Sequence, residues 1–180
     1  MKILAFSDLH HSRSRAEALV AASTDADLVI GAGDFCNMRQ NQAEAMNLLA
    51  GITAPMVVVP GNAESDAELA EAAHANTTVL HGTGTEIGGL RLFGLGGAVP
   101  ETPFGGWSWD ISENAAADLL ANCEAADILV IHSPPKGIAD LTSNGLSVGS
   151  TAIRAAIERI QPKLALCGHI HDSWGQTGMI

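Results

Sequence analysis

Short runs of branched apolar residues recur along this chain, each too brief for a helix and each closed by glycine or a polar group. Lys2–Ser7, Leu28–Gly31, Ile52–Pro60, Asp127–Ile131 and Lys163–Cys167 read as buried strands. Between them, Arg13–Thr24, Gln40–Ala50, Ser112–Cys123 and Ser150–Ile160 carry the spacing of helices, with Ala43, Met46, Leu49 and Ala50 forming one apolar stripe. Ser65 precedes another helix, and Glu68 stands where a capping box needs it. The alternation predicts an α/β fold. The middle differs: Thr77–Leu80, Thr85–Ile87 and Arg91–Leu95 are separated by glycine pairs, which predicts an antiparallel meander. Ala98–Asp110, rich in Gly, Pro and Trp, is a long loop and a candidate substrate flap; Ser133–Gly149 is a second long loop. Trp174–Ile180 reads as the start of one more strand. With no internal repeat or low-complexity linker, residues 1–180 are expected to form one domain.

The strand-like runs share their endings. Asp8 and His10 follow the first, Asp34 the second, Asn62 the third, His132 the fourth, and His169 and His171 the last. A parallel sheet gathers groups at its carboxyl edge in this way, so carboxylates, imidazoles and one amide converge on one rim.

Charge narrows the partners. The net charge of -11 repels long polyanions and argues against a nucleic-acid-binding face, while small anions remain accessible if bound cations reverse the local field. The three cysteines, Cys36, Cys123 and Cys167, are scattered without metal-ligand spacing and suit a reducing compartment. Met1–Phe6 begins directly as a strand, without the apolar core of a secretory signal, and no run is long enough to cross a bilayer. A cytoplasmic protein without membrane attachment is the expectation.

Each polar motif has an ordinary reading beside its chemical one. Asp8-Leu9-His10, taken alone, is more often a capped turn than a ligand pair, and His132 before Ser133-Pro134-Pro135 is equally a loop histidine. Two histidines closing a buried strand, as in Gly168-His169-Ile170-His171, are costly unless used. Together, imidazole nitrogen and carboxylate oxygen suit manganese, iron(II) or zinc, with an amide oxygen as neutral filler. A carboxylate shared by two cations about 3.5–4 Å apart is the geometry of two-metal phosphoryl chemistry. Asp34, central in the expected sheet, is the natural bridge.

In this combination the chain resembles the calcineurin-like metallophosphoesterases, through Asp8-Leu9-His10, Gly33-Asp34, Gly61-Asn62, His132 and Gly168-His169-Ile170-His171, in that order. Gly33–Asn37 and Cys167–His171 look most like the metallophosphoesterase-domain group, some of whose members act on cyclic nucleotides. The resemblance implies a four-layer αββα sandwich of two mixed sheets flanked by helices. It implies two divalent ions (manganese, iron or zinc, with magnesium or nickel as alternatives), one held by Asp8, His10 and His171 and the other by Asn62, His132 and His169. Asp34 would bridge them. A hydroxide shared between the ions would attack phosphorus, making Asp34, Asn62 and His132 catalytic as well as ligating. The implied function is phosphodiester hydrolysis, cyclic nucleotides included; the alternatives are a broad phosphomonoesterase and a catalytically weak metal-binding scaffold. Members of the superfamily usually continue into closing strands soon after the position of His171, so an open sheet edge and self-association are expected there.

One position departs from the family pattern. Gly-Asn is often followed by a histidine that protonates the leaving oxygen, and here it is followed by Ala63. Losing that acid costs about 100-fold or more for a poor leaving group, which favours esters with acidic leaving groups. His11, beside the metal loop, is the candidate substitute donor; a solvent-facing neighbour is its other reading. Asn37 is expected either to orient Asn62 or a substrate oxygen or to make a simple turn. Trp107 and Trp109 are nucleobase platforms or loop anchors, and Cys36 is a metal neighbour or a small buried hydrophobe.

Overall fold

The computed structural model describes all 180 residues. Strands β1 (Ile3–Phe6), β2 (Leu28–Gly31), β3 (Met56–Val58) and β4 (Thr77–Val79) form one sheet in that order. Strands β5 (Thr83–Ile87), β6 (Leu90–Leu95), β7 (Ile128–Ile131) and β8 (Leu164–Leu166) form the second. Helices α1 (Arg13–Ala22), α2 (Gln42–Asn47) and α3 (Asp66–Ala72) belong to the first half of the chain, α4 (Glu113–Ala121) and α5 (Thr151–Ile160) to the second.

The apolar runs of β2, β3 and β7 have no polar face because these strands are buried on both sides. On β2, Val29 joins Ala16, Met46, Leu49 and Leu69 beneath the first three helices, while Leu28 and Ile30 face the other sheet. On β7, Leu129 and Ile131 join Leu120, Ile153 and Ile157 beneath α4 and α5, while Ile128 and Val130 meet Val57, Val59 and Leu92 between the sheets. Period-two alternation between these clusters builds the αββα sandwich. The second sheet is mixed, since β5 and β6 run antiparallel and the other pairings are parallel; the first is parallel throughout.

The expected meander reduces to one hairpin. Thr77–Val79 pairs in parallel with β3, because α3 returns the chain to start β4 alongside it, so β4 and β5 lie in different sheets. Trp174–Ile180 forms no strand: a 3-10 turn at His171–Ser173 ends the last element, and Trp174 is 90% exposed. No helix is long and apolar enough to cross a membrane.

The capping box is present in full. Ser65 Oγ accepts from the Glu68 amide at 3.3 Å, and Glu68 Oε2 accepts from the Ser65 amide at 2.7 Å. Arg39 holds the same carboxylate through its Nε at 3.1 Å. Replacing Ser65 by alanine is expected to cost about 1 kcal/mol. That lowers the melting temperature by roughly 2–4 °C, measurable by calorimetry.

Candidate metal centre

The site forms where five loops leave the carboxyl ends of the strands. Left-handed backbone turns the side chains inward: Asp8 has φ 54°, His10 48°, Asp34 59° and His169 70°. Such angles are uncommon outside glycine and concentrate where a neighbouring structure enforces them. Here the amides of Asp8, His10 and His11 donate to the carbonyls of Gly33, Asp34 and Phe35 at 2.9, 2.9 and 2.8 Å, fastening the first loop to the second. The last loop joins through Asp8, whose carboxylate accepts from the His169 amide at 3.1 Å. Side chains are excluded at two close approaches: a Cβ on Gly61 would strike the Asp34 carboxylate, and one on Gly168 would strike that of Asp8.

All seven expected ligands meet, in two groups that share Asp34. On one side His10 Nε2 lies 3.1 Å from His171 Nε2 and 3.5 Å from Asp34 Oδ2, and His171 Nε2 lies 3.4 Å from Asp8 Oδ1. On the other, Asn62 Oδ1 lies 3.2 Å from His132 Nε2 and 3.0 Å from His169 Nδ1, and His132 Nε2 lies 3.5 Å from Asp34 Oδ1. Asp8, His10 and His171, and separately Asp8, Asp34 and His132, bring ligand atoms within 4.8 Å of one another.

The chemistry of these atoms fits a cation. His132 is fully buried and its Nδ1 lies 2.8 Å from the Ala32 carbonyl, so Nδ1 carries the hydrogen and donates. In the neutral ring, Nε2 then points a lone pair at two acceptor oxygens, those of Asn62 and Asp34. A proton or a metal ion must stand between them, and the backbone bond at Nδ1 orients the ring as metal-binding imidazoles are oriented. Burial lowers the His132 pKa, but Asp34, Asp8 and the Ala32 carbonyl outweigh it and leave it raised. At His169, burial and the positive charge of His132 push the pKa down to about 4, leaving that imidazole neutral and available. Burial would raise the Asp8 carboxyl, yet His132, the Ser7 hydroxyl and His171 together hold it below its ordinary value.

Glu64 is a residue the sequence pattern missed. Fully buried, it accepts at Oε1 from the amides of Asp34 and Gly61, both at 2.8 Å, and at Oε2 from those of Phe35 and Cys36 at 3.2 and 3.4 Å. It ties the loop carrying Asp34 to the loop carrying Asn62. Burial and the Asp34 charge push its pKa up to about 7, against the pull of the Gly61 amide and His132. A carboxylate four residues beyond a buried strand was its only trace in the sequence.

The remaining expectations resolve individually. The ring of His11 pairs with Glu44 at 3.7 Å and makes no bond to the seven. Asn37 Nδ2 donates to the His10 carbonyl at 3.1 Å, steadying His10 rather than Asn62. Cys36 is wholly buried with its thiol pKa pushed up to about 12 by burial and Glu64, so it is a small core residue. Trp109 lies tilted by 51° against His81 with ring centroids 4.9 Å apart, and Trp107 stacks on Phe104 at 5.7 Å. A cavity of about 790 Å³ between α1 and residues 167–176 opens onto Asp8 and His171 and is lined elsewhere by Leu19, Ile170, Trp174 and Arg15.

The family model for calcineurin-like phosphoesterases matches residues 1–173. The chain belongs to that family. Calcineurin-like phosphoesterases are metal-dependent phosphoester hydrolases, and this member carries candidate metal-binding residues in Asp8, His10 and His171 and in Asp8, Asp34 and His132. Metallophosphoesterase domain-containing protein 1 of Homo sapiens is 30% identical over 105 residues, 56% of this chain. A UPF0046 protein of Caenorhabditis elegans is 28% identical over 107 residues. The chain spans only 31% and 26% of the lengths of those relatives. Among solved structures, TT1561 of Thermus thermophilus superposes with a TM-score of 0.74 at 21% identity, covering 92% of this chain and 80% of its own. The purple acid phosphatase PPD1 of yellow lupin superposes with a TM-score of 0.59 at 15% identity, covering 94% of this calcineurin-like chain and 37% of its own. Both likenesses are of fold.

Proposed function

We propose that residues 1–180 form one phosphodiesterase domain with two divalent ions, manganese, iron or zinc, held by the seven side chains. Asp8, His10 and His171 would hold the first ion, Asn62, His132 and His169 the second, and Asp34 both. The observation that carries this is the division of Asp34: Oδ2 faces His10 and Oδ1 faces His132, each at 3.5 Å. When bound, such ions acidify water and neutralise charge growing on phosphoryl oxygens.

The protein's own groups set the geometry and the limits. Asp34 supplies an oxygen to each side, and Asn62 contributes a neutral oxygen, so the set keeps net positive charge when loaded. Ala63 is buried and has no proton to give, which favours substrates whose leaving oxygen is already acidic. The diester preference, cyclic nucleotides included, rests on the likeness of Gly33–Asn37 and Cys167–His171 to the metallophosphoesterase-domain group.

Turnover of bis(p-nitrophenyl) phosphate and p-nitrophenyl phosphate, with added manganese and after chelation, tests the reading. Manganese-dependent hydrolysis faster on the diester is expected, with about two ions per chain by elemental analysis. Faster monoester hydrolysis would make the protein a phosphomonoesterase. Tight metal binding without turnover of either ester would make it a scaffold.

A further inference from the structure

Asn62 is the one ligand whose chemistry depends on which way round its amide lies. Its Oδ1 must face the imidazoles of His132 and His169; turned over, it would present an NH2 group to the same point. Nothing in the strand exit fixes that choice. The long loop 98–110 does. Asn62 Nδ2 lies 2.9 Å from Ser108 Oγ, and Ser108 Oγ lies 2.5 Å from Asp110 Oδ1. The loop is anchored at the same place, since the Trp109 amide donates to the Asn62 carbonyl at 2.9 Å. Asp110 is held in turn by Thr102, whose amide and hydroxyl donate to Oδ2 at 2.7 and 2.9 Å.

We infer that Ser108 and Asp110 are positioning residues that fix the amide of Asn62 with its oxygen toward the metal centre. The direction follows from counting hydrogens. An ionised carboxylate only accepts, so the single hydroxyl hydrogen of Ser108 goes to Asp110. Oγ then has only lone pairs left for Asn62, which must answer with its NH2 group. Polarity therefore passes from Asp110 through Ser108 to Asn62, and the oxygen is left for the ion. This deepens the metal-centre reading above and rests on it.

Manganese titration of the chelator-stripped full chain by calorimetry tests the relay without any substrate. Wild type is expected to show two sites. Ser108→Ala is expected to weaken the site served by Asn62 about 10- to 100-fold, as loss of an outer partner of a ligand does, and to leave the other unchanged. Asp110→Asn keeps the shape but lets the hydroxyl hydrogen reverse, and is expected to weaken the same site. Ser108→Thr restores the hydroxyl and is expected to restore affinity; Trp107→Ala, on the same loop without a bond to Asn62, is expected to bind as wild type. Undiminished affinity in both Ser108→Ala and Asp110→Asn would overturn the relay while leaving the metal centre intact. So would equal weakening of both sites in every loop variant, including Trp107→Ala, since that is general loop damage. Absence of metal uptake by wild type would instead overturn the metal-centre reading, and the relay with it.

Discussion

Asp34→Asn is expected to abolish manganese-dependent hydrolysis while leaving a folded protein. Asp34 is 4% exposed and its Oδ1 also accepts from the Ala63 amide at 2.8 Å, a bond that asparagine can keep with its own oxygen. The NH2 group then replaces Oδ2, the atom 3.5 Å from His10 Nε2, and turns a hydrogen-bond donor toward an ion on that side. The first ion loses a ligand and the pair loses its bridge. Removing one preorganised electrostatic group costs about 100- to 1000-fold in turnover, and a bridge serves both ions, so the loss should reach at least the upper end. Elemental analysis should find the metal content reduced from about two ions toward one or none. The ion-free variant should melt no lower than ion-free wild type, because a negative charge beside Asp8 and Glu64 has been removed. Wild-type turnover in Asp34→Asn would remove Asp34 from the centre. Lost turnover with a lowered melting temperature would point to damage of the fold.

Most of the fold was legible because the central strands β2, β3 and β7 are covered on both faces. Val29 against the helices and Ile30 against the other sheet are both apolar, so β2 announces itself as an uninterrupted run. Pairing was less legible. Thr77-Thr78-Val79 looks like the hairpin strands that follow it, and only the path of α3 over the first sheet makes it parallel to β3. The seven expected ligands were legible because each lies within a few residues of a strand's carboxyl end, where an α/β fold gathers its working groups. The resemblance to a known family then sorted them into two groups, and His10 and His132, one from each, lie 3.5 Å from different oxygens of Asp34. What supports those ligands was hidden. Glu64 and Ser108 act through backbone amides and one side-chain amide across gaps of up to 46 residues, with no spacing to reveal them.

Glu64→Ala is expected to be the most destabilising substitution, and its effect should appear without any metal present. Four amides lose their acceptor at once: Gly61 and Asp34 at 2.8 Å, Phe35 at 3.2 Å and Cys36 at 3.4 Å. All lie where water does not reach, since Glu64 and its neighbours Phe35 and Cys36 are fully buried. An orphaned buried donor costs about 1–3 kcal/mol, although loop relaxation rescues some of the four. The net loss should be about 3–5 kcal/mol, like other removals of one partner from a buried charged network. At roughly 2–4 °C per kcal/mol this lowers the melting temperature on the order of 10 °C. Glu64→Gln separates hydrogen bonding from shape, because its one oxygen can still serve Asp34 and Gly61 while its NH2 group meets the Phe35 and Cys36 amides head-on. It should fall between wild type and alanine in melting temperature. Metal affinity should fall in the same order, since the tie between the Asp34 and Asn62 loops loosens with each step. A glutamine variant as stable as wild type would mean that one oxygen is enough to hold the two loops together.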